Sequence, residues 1–393
     1  MRKNNWLTRS ILGIGLTSLF SDMGHEMTTA ILPMFLATIG GTAATLGLIE
    51  GIADASSSFI KLLMGWYSDK IGRRKPIVVA GYIITALKGL FAFTTNWNQV
   101  LLIRVLAWMG RGARGPVRDA LMVDLLKPEH YGRAFGFHTA MDTLGAVIGP
   151  AIAFALIGIL TYRQIFLISF FPGFLSVACF IFLVKERKRE PDGKVEFWKN
   201  IRGLPLNFKL FTFSVGIFGL GNFAHTLLIL RATEILTPEY GKTEAISAAI
   251  GLYTLHNVLY AGSAYPAGVL SERIGKRTML GLGYFLFALM CLGFILEPPK
   301  LWAMVILFIL AGVYIAIVDS MERAMAGDLL PENLRGTGYG VLAMVNGIGD
   351  FVSSFVVGLL WTKVSPIAGF IYAGLLTLIG GILLLMIRGG KRT

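Results

Sequence analysis

Ionisable side chains within long apolar runs are the residues of this 393-residue chain that could do chemistry. Asp22, His25 and Glu26 lie three and four positions apart in the first such run, so a helix would place them on one face. Asp54 lies in the second run. A carboxyl whose burial is balanced by a nearby cation can bind and release a proton at working pH. We therefore predict Asp22, Glu26 and Asp54 as proton-binding groups, and a static buried ion pair is the alternative.

Arginines follow one face of a later run. Arg104, Arg111 and Arg118 recur every seven positions, and Arg114 lies on a neighbouring line of the same helix. An arginine side chain keeps its charge when it is buried. Two interpretations stay open. The arginines pair with acids, among them Asp142 at a depth similar to that of Arg111, or Arg111 and Arg114 bind an anionic substrate.

The second half of the chain carries fewer charges and more neutral polar and aromatic side chains in its apolar runs. One of them, His256, is either a packed core residue or a ligand. Tyrosine and histidine form hydrogen bonds while presenting apolar faces, which suits an amphipathic organic molecule. The predicted substrate-binding residues of both halves are His25, Arg111, Arg114, Asp142, His225, Tyr253, His256 and Asn346.

The elements that must position these residues are long apolar helices. Hydrophobic residues make up 55% of the chain and charged residues 15%, and the mean hydropathy is +0.67. Roughly a quarter of the residues are charged in soluble proteins. About 20 apolar residues cross the ~30 Å of bilayer hydrocarbon as a helix. Twelve such runs predict an all-α integral membrane protein with 12 transmembrane helices, at 10–38, 46–68, 76–95, 99–123, 134–159, 164–185, 208–234, 246–270, 278–296, 301–326, 337–361 and 365–387.

Lysine and arginine residues concentrate in alternate loops between these runs, and this bias sets the predicted orientation. It places both termini on the cytoplasmic side of the cell inner (cytoplasmic) membrane. The same bias accounts for the net charge of +13, so no nucleic-acid partner is expected.

The chain also repeats itself. Residues 65–74 and 268–277 share glycine, three residues, an acid, two residues, glycine and two bases, and a second pair of similar segments begins at Asp124 and Asp328. The offsets of 203 and 204 predict two six-helix bundles, residues 1–185 and 208–393, joined by a cytoplasmic linker at 186–207. Parallel repeats about an axis along the membrane normal are typical of secondary transporters that bind substrate near the midplane.

The segment at 65–75 resembles the signature loop of the major facilitator superfamily, and the segment at 268–277 resembles its weaker second copy. The resemblance extends over the whole chain and implies that family's fold of two pseudo-symmetric six-helix bundles. It also implies a conformational latch on the cytoplasmic side, in which Asp69 and Arg73 form a charge relay with Asp124. The latch residues carried over from the family are Gly65, Asp69, Gly72, Arg73, Asp124, Glu272, Lys276 and Asp328.

Gly145, Gly149 and Pro150 resemble the Gly-Pro motif of the family's antiporter branch, which implies a helix bend and export against protons. Ala153 and Phe154 stand where the full motif has two further glycines. A close-packed bend with no bearing on transport direction is the alternative.

These features predict a secondary active transporter that moves a small organic solute, anionic or amphipathic, by alternating access, with proton-coupled export as the leading direction. Proton-coupled uptake of an anionic nutrient is the first alternative. Transport of a divalent metal ion through Asp22, His25 and Glu26 is the second. No nucleophile–base set or phosphate-binding glycine loop stands out, so we expect no enzyme activity, no cofactor and no resident metal. The expected partners are substrate, protons and bilayer lipid, and a monomer suffices because one copy contains both halves.

Overall fold

The computed structural model describes residues 7–71, 73–127, 130–186, 202–296, 300–331 and 334–386, without the side chains of residues 65, 66, 69–71, 132, 335 and 336. Most of the predicted linker, residues 187–201, lies outside the described residues. The described part of the chain forms thirteen α-helices and one 3-10 segment, and contains no strand.

In chain order the helices are α1 (Arg9–Thr38), α2 (Ala43–Ile71), α3 (Lys75–Ala86), α4 (Trp97–Asp124), α5 (Tyr131–Leu156), α6 (Tyr162–Leu183), α7 (Leu206–Gly219), α8 (His225–Tyr240), α9 (Lys242–Ile274), α10 (Lys276–Ile295), α11 (Leu301–Leu329), α12 (Arg335–Lys363) and α13 (Pro366–Met386). Ten of the twelve predicted runs correspond to one helix each, with ends that agree to within four residues. Seven helical segments of the described chain are long and apolar enough by themselves to cross a membrane.

Local chemistry fixes where several of these helices begin. The Asn96 side chain accepts a hydrogen bond from the backbone N–H of Gln99 at the start of α4. Thr161 and Gln164 form a reciprocal capping box at the start of α6. The Glu186 carboxylate accepts hydrogen bonds from the backbone N–H groups of Arg74 and Lys75, which lie at the start of α3. These caps satisfy backbone donors that a helix leaves unpaired.

The third predicted run consists of α3 and a tighter 3-10 segment, Leu87–Phe93, that continues it. A 3-10 turn has three residues per turn instead of 3.6, so it changes the direction in which the following side chains point. Lys88 lies in this segment and is 2% exposed.

The described chain divides into two compact units. The first unit comprises Met1–Phe35 and Ser56–Val195, and the second comprises Leu36–Ala55 and Glu196–Thr393. The first part of α2 therefore counts with the second unit, although it lies within the first predicted bundle. In that second unit a Cβ atom on Gly47 of α2 would lie 2.0 Å from the backbone oxygen of Ser354 on α12, so the two helices are in backbone contact there.

Aromatic side chains form much of the core of each unit. In the first unit Phe35 packs edge-on against Phe166, with ring centroids 5.0 Å apart. In the second unit Phe218 and Tyr284 stack with centroids 3.9 Å apart, and Phe287 packs edge-on against Phe218. These contacts fix the helices that carry the polar residues described below.

The seventh predicted run is one apolar stretch over 208–234, but the structure divides it into two helices. Residues 220–224 leave the helix between α7 and α8. Two hydroxyls of α12 replace missing backbone hydrogen bonds. Ser353 Oγ donates to the backbone oxygen of Asn222 at 2.7 Å, and the backbone N–H of Ala224 donates to Ser354 Oγ at 3.0 Å. Irregular backbone inside a membrane protein is tolerated where protein groups satisfy it in this way.

Candidate functional site

An ion pair joins α1 and α4 in the first unit. Arg111 donates from both terminal nitrogens to the two carboxylate oxygens of Asp22, at 3.0 and 3.2 Å. Arg114 approaches the same carboxylate at 3.7 Å. The Asp22 side chain is 4% exposed, whereas that of Arg111 is 32% exposed. Asp22 is thus buried, whereas Arg111, which donates to it, is partly exposed.

A second acid reaches the same pair from α5. Asp142 interacts electrostatically with both Asp22 and Arg111. The structure therefore brings together three residues from three helices that the sequence analysis assigned to proton binding or substrate binding. Their roles stay predictions.

Arg118 lies seven residues after Arg111 on α4 and belongs to a neighbouring network of hydrogen bonds. It donates to Asp119 at 2.9 and 3.0 Å and to Ser18 Oγ at 3.3 Å. The Ser18 hydroxyl also contacts His138 Nε2 at 2.7 Å. This network connects α4 with α1 and α5.

Buried cations surround Trp108 at the other end of the arginine stripe. The guanidinium of Arg104 lies 3.6 Å from the centre of the Trp108 ring, and Lys88 Nζ lies 4.3 Å from it. Lys88 Nζ is also hydrogen-bonded to His25 Nδ1, and His25 Nε2 lies 3.5 Å from Glu26. Cation–π contacts of this kind stabilise positive charge away from water. His25 thus contacts Glu26 through one ring nitrogen and a buried lysine of the 3-10 segment through the other.

Two glycines let α5 approach the helix that carries Asp22. A Cβ atom on Gly145 would lie 2.3 Å from the backbone oxygen of Leu19, and one on Gly149 would lie 2.5 Å from that of Met23. Pro150 lies within α5 directly after the second glycine. The residues that resemble the antiporter motif are therefore a close contact between α5 and α1.

In the second unit a chain of hydrogen bonds surrounds the interruption between α7 and α8. His225 Nε2 contacts the Tyr314 hydroxyl at 3.2 Å, and that hydroxyl donates to Asn222 Oδ1 at 3.3 Å. The Asn222 amide donates to Asp350 at 3.4 Å. The ring of His256 lies 4.7 Å from that of His225, centre to centre. Tyr253 stacks on His256 at 5.6 Å.

Asn346 belongs to a different cluster of the second unit, on α12. Its amide donates to Glu322 of α11 at 2.8 Å, and the Tyr284 hydroxyl of α10 donates to the same carboxyl group at 3.4 Å. Asn346 thus belongs to a different hydrogen-bond cluster from that of His225.

The predicted proton-binding residue Asp54 is half-buried on α2 in the part of that helix that counts with the second unit. Asp22 and Glu26 belong to the first unit. Within the described residues, no group of three or more His, Cys, Asp or Glu side chains is arranged to hold a metal ion.

The predicted latch is described in part. Asp124 is hydrogen-bonded to Arg74, the neighbour of the predicted Arg73, which is itself exposed. In the second unit Lys276 donates to Asp328 at 2.7 Å, and their latch role stays a prediction. Glu272 is exposed. Gly72 and the side chains at positions 65 and 69 lie outside the described residues.

Several residues of these networks were not singled out from the sequence. Lys88 is an ionisable residue within the apolar run 76–95, so the rule that flagged Asp22 would have found it. Tyr314 and Trp108 gave no signal, because an aromatic residue in an apolar run most often packs in the core.

The whole chain matches the family model described as the Major Facilitator Superfamily, in two segments covering residues 14–233 and 232–393. The chain belongs to this superfamily of membrane transporters. The predicted fold class of two pseudo-symmetric six-helix bundles is thereby confirmed.

Three relatives illustrate the range of the family. An uncharacterized MFS-type transporter of Methanocaldococcus jannaschii is 35% identical over 98% of both chains. A probable 4-methylmuconolactone transporter of Cupriavidus pinatubonensis is 24% identical over 86% of this chain and 80% of the relative. Multidrug resistance protein MdtH of Photorhabdus laumondii is 25% identical over 77% of this chain and 74% of the relative.

Among solved structures, a crystal structure of the nucleoside transporter NupG superposes with a TM-score of 0.82. The match covers 96% of this chain and 100% of NupG, at 12% sequence identity. At that identity the likeness supports the fold alone.

Proposed function

We propose that the protein is a proton-coupled secondary transporter of a small organic anion, working by alternating access. The observation that carries the proposal is the pair of Asp22 with a partly exposed Arg111. Protonation of Asp22 neutralises the carboxylate to which Arg111 is hydrogen-bonded. The guanidinium then offers its two parallel donors to the carboxylate of a solute. A proton and an organic anion therefore bind together, each favouring the other.

This linkage favours cotransport of proton and anion, and so uptake down an inward proton gradient. Export stays the second candidate, because the Gly145–Gly149 contact resembles the antiporter motif and because MdtH, a relative, is a multidrug resistance protein. We propose the same location for either direction, namely a multi-pass monomer in the cell inner membrane with both termini cytoplasmic.

The test uses purified protein in liposomes that contain the pH-sensitive dye pyranine. The probe is 4-methylmuconolactone, which bears one carboxylate and is the compound named for the relative from Cupriavidus pinatubonensis. With equal pH on both sides, the probe added outside acidifies the lumen if proton and anion move together. It makes the lumen alkaline if they exchange. Protein-free liposomes correct for passive entry of the undissociated acid.

The variant Arg111→Gln removes the proposed anion-binding donors, and we expect at least a tenfold loss of the protein-dependent pH change. Arg133→Gln is the matched control, because Arg133 is exposed on α5. Radiolabelled probe entering wild-type liposomes without a pH change would contradict proton coupling. Equal signals from wild type and Arg111→Gln would contradict the anion site.

A further inference from the structure

Glu322 of α11 is a buried carboxyl group with neutral hydrogen-bond partners. It is 5% exposed. Asn346 of α12 donates to one carboxyl oxygen at 2.8 Å, and the Tyr284 hydroxyl of α10 lies 3.4 Å from the other. A buried carboxylate is costly without a cationic partner. The site therefore differs from that of Asp22, which two arginines face.

Among the described residues, no charged group forms an ion pair with Glu322. Asp319 and Arg323 on the same helix interact with it electrostatically. Arg323 lies 3.8 Å from Asp319, and its side chain is 73% exposed. From α9, Tyr260 donates to Asp319 at 2.8 Å. From α7, the apolar ring of Phe218 stacks on Tyr284.

The internal repeat shows what is unusual about this cluster. Glu322 and Asn346 lie 204 positions after Arg118 and Asp142, and Tyr284 lies 202 positions after Tyr82. In the first unit Arg118 interacts electrostatically with both Asp142 and Tyr82. The second unit keeps the tyrosine, replaces the arginine by an acid and replaces the aspartate by its amide. An arginine and an aspartate that interact electrostatically in one unit thus correspond to an acid and its neutral hydrogen-bond partner in the other.

We propose that Glu322 is a proton-binding site of the second unit, held by Asn346 and Tyr284. The proposal deepens the proposed function, on which it rests, by adding a proton acceptor outside the Asp22 cluster. The ionised carboxylate accepts hydrogen bonds from the amide and the phenol. When the carboxylate gains a proton, the Asn346 amide rotates by 180°, its N–H hydrogen bond to Glu322 breaks, and the new acid O–H donates to the amide oxygen. The hydrogen bond from Tyr284 is kept.

The partners of Glu322 favour a proton over a metal cation. A sodium or other hard cation needs several oxygen acceptors around it. Asn346 and Tyr284 present N–H and O–H donors to the carboxyl group instead. Asp319, one turn earlier on α11, interacts electrostatically with Glu322, and its side chain is 38% exposed.

Infrared spectroscopy of the purified full-length protein tests the site without any substrate. A protonated buried carboxyl gives a carbonyl stretching band separate from that of the carboxylates, and its intensity is followed as pH is varied in sodium or choline buffer. Asp22 contributes to this absorption as well, so the band of Glu322 is read from the difference between wild type and Glu322→Gln, where we expect one pH-dependent component that the variant lacks. In Asn346→Leu the band persists and moves to higher frequency, because the acid has lost a hydrogen-bond partner.

A second variant rebuilds the arrangement of the first unit. Glu322→Arg combined with Asn346→Asp restores the arginine–aspartate pair of the repeat, and we expect a folded protein without the band. A band that is unchanged in Glu322→Gln and unmoved in Asn346→Leu would overturn the proposal. A band that titrates with sodium would overturn the choice of ligand. The infrared experiment tests proton binding at Glu322, whereas the pyranine assay tests coupled flux. A negative result in one therefore leaves the other proposal standing.

Discussion

Asp22 and Arg111 connect α1 to α4 through two parallel hydrogen bonds, and the acid is far more enclosed than the arginine. Removing either partner leaves the other charge in a poorly hydrated place. We expect Arg111→Gln to lower the free energy of unfolding by about 3 kcal/mol, the lower end of the range for broken buried pairs, because Arg111 is partly exposed. Thermal unfolding in detergent measures the change.

The double variant Asp22→Asn with Arg111→Gln should recover part of that loss, because neither charge is then left alone. Additive losses from the two single variants would show that the two side chains do not interact energetically.

Gly149 is a contact point between α5 and α1. In Gly149→Ala the new methyl group would lie 2.5 Å from the backbone oxygen of Met23, so the helices must separate. We expect a loss of roughly 1–3 kcal/mol in stability and a reduced rate of probe flux. Gly136→Ala on the same helix is the control, since nothing lies within 4 Å of its Cβ position. Equal melting temperatures for the two variants would show that the contact is not tight.

Arg73 and Arg74 are adjacent arginines with different surroundings. Arg74 is 5% exposed, is hydrogen-bonded to Asp124 and donates to the backbone oxygen of Ala120 at 2.8 Å. Arg73 is exposed. We expect Arg74→Gln to destabilise the protein by about 3 kcal/mol, because the ion pair between the buried Arg74 and the partly buried Asp124 is broken. Arg73→Gln should stay within about 0.5 kcal/mol of wild type. Unfolding curves with the opposite ranking would refute this assignment.

Ser354 satisfies a backbone N–H at the interruption after α7. In Ser354→Ala the N–H of Ala224 loses its acceptor, and we expect a loss of about 1–3 kcal/mol. Ser271→Ala is the control. Ser271 is also buried in the second unit, but its hydroxyl donates within its own helix to Gly268. Hydrogen exchange at residues 220–228 should accelerate in the first variant only, and equal exchange in both would contradict the role of Ser354.

The sequence predicts most of the helices because each is an apolar run of the length that a bilayer requires. It misses the division of the seventh run, because the groups that stabilise it, Ser353 and Ser354, lie about 130 positions away. Nothing local to residues 220–224 distinguishes a break from a glycine-rich helix.

For a similar reason, the sequence predicts only part of the site. Seven-residue spacing put Arg104, Arg111 and Arg118 on one stripe, but each meets a different partner, namely Trp108, Asp22 and Asp119. Spacing within one helix fixes a face. The neighbours of that face depend on how the helices pack, which a single sequence does not contain.

The interruption after Gly219 depends on hydroxyls of α12 for its backbone hydrogen bonds. Its own residues are packed as well, because Phe223 contacts Phe287 and a Cβ atom on Gly221 would lie 2.6 Å from the backbone oxygen of Ala373. Laboratory selection for new ligands should therefore spare Gly221 and Phe223 together with Ser353 and Ser354. The architecture at this point is thus encoded jointly by distant stretches of the polypeptide.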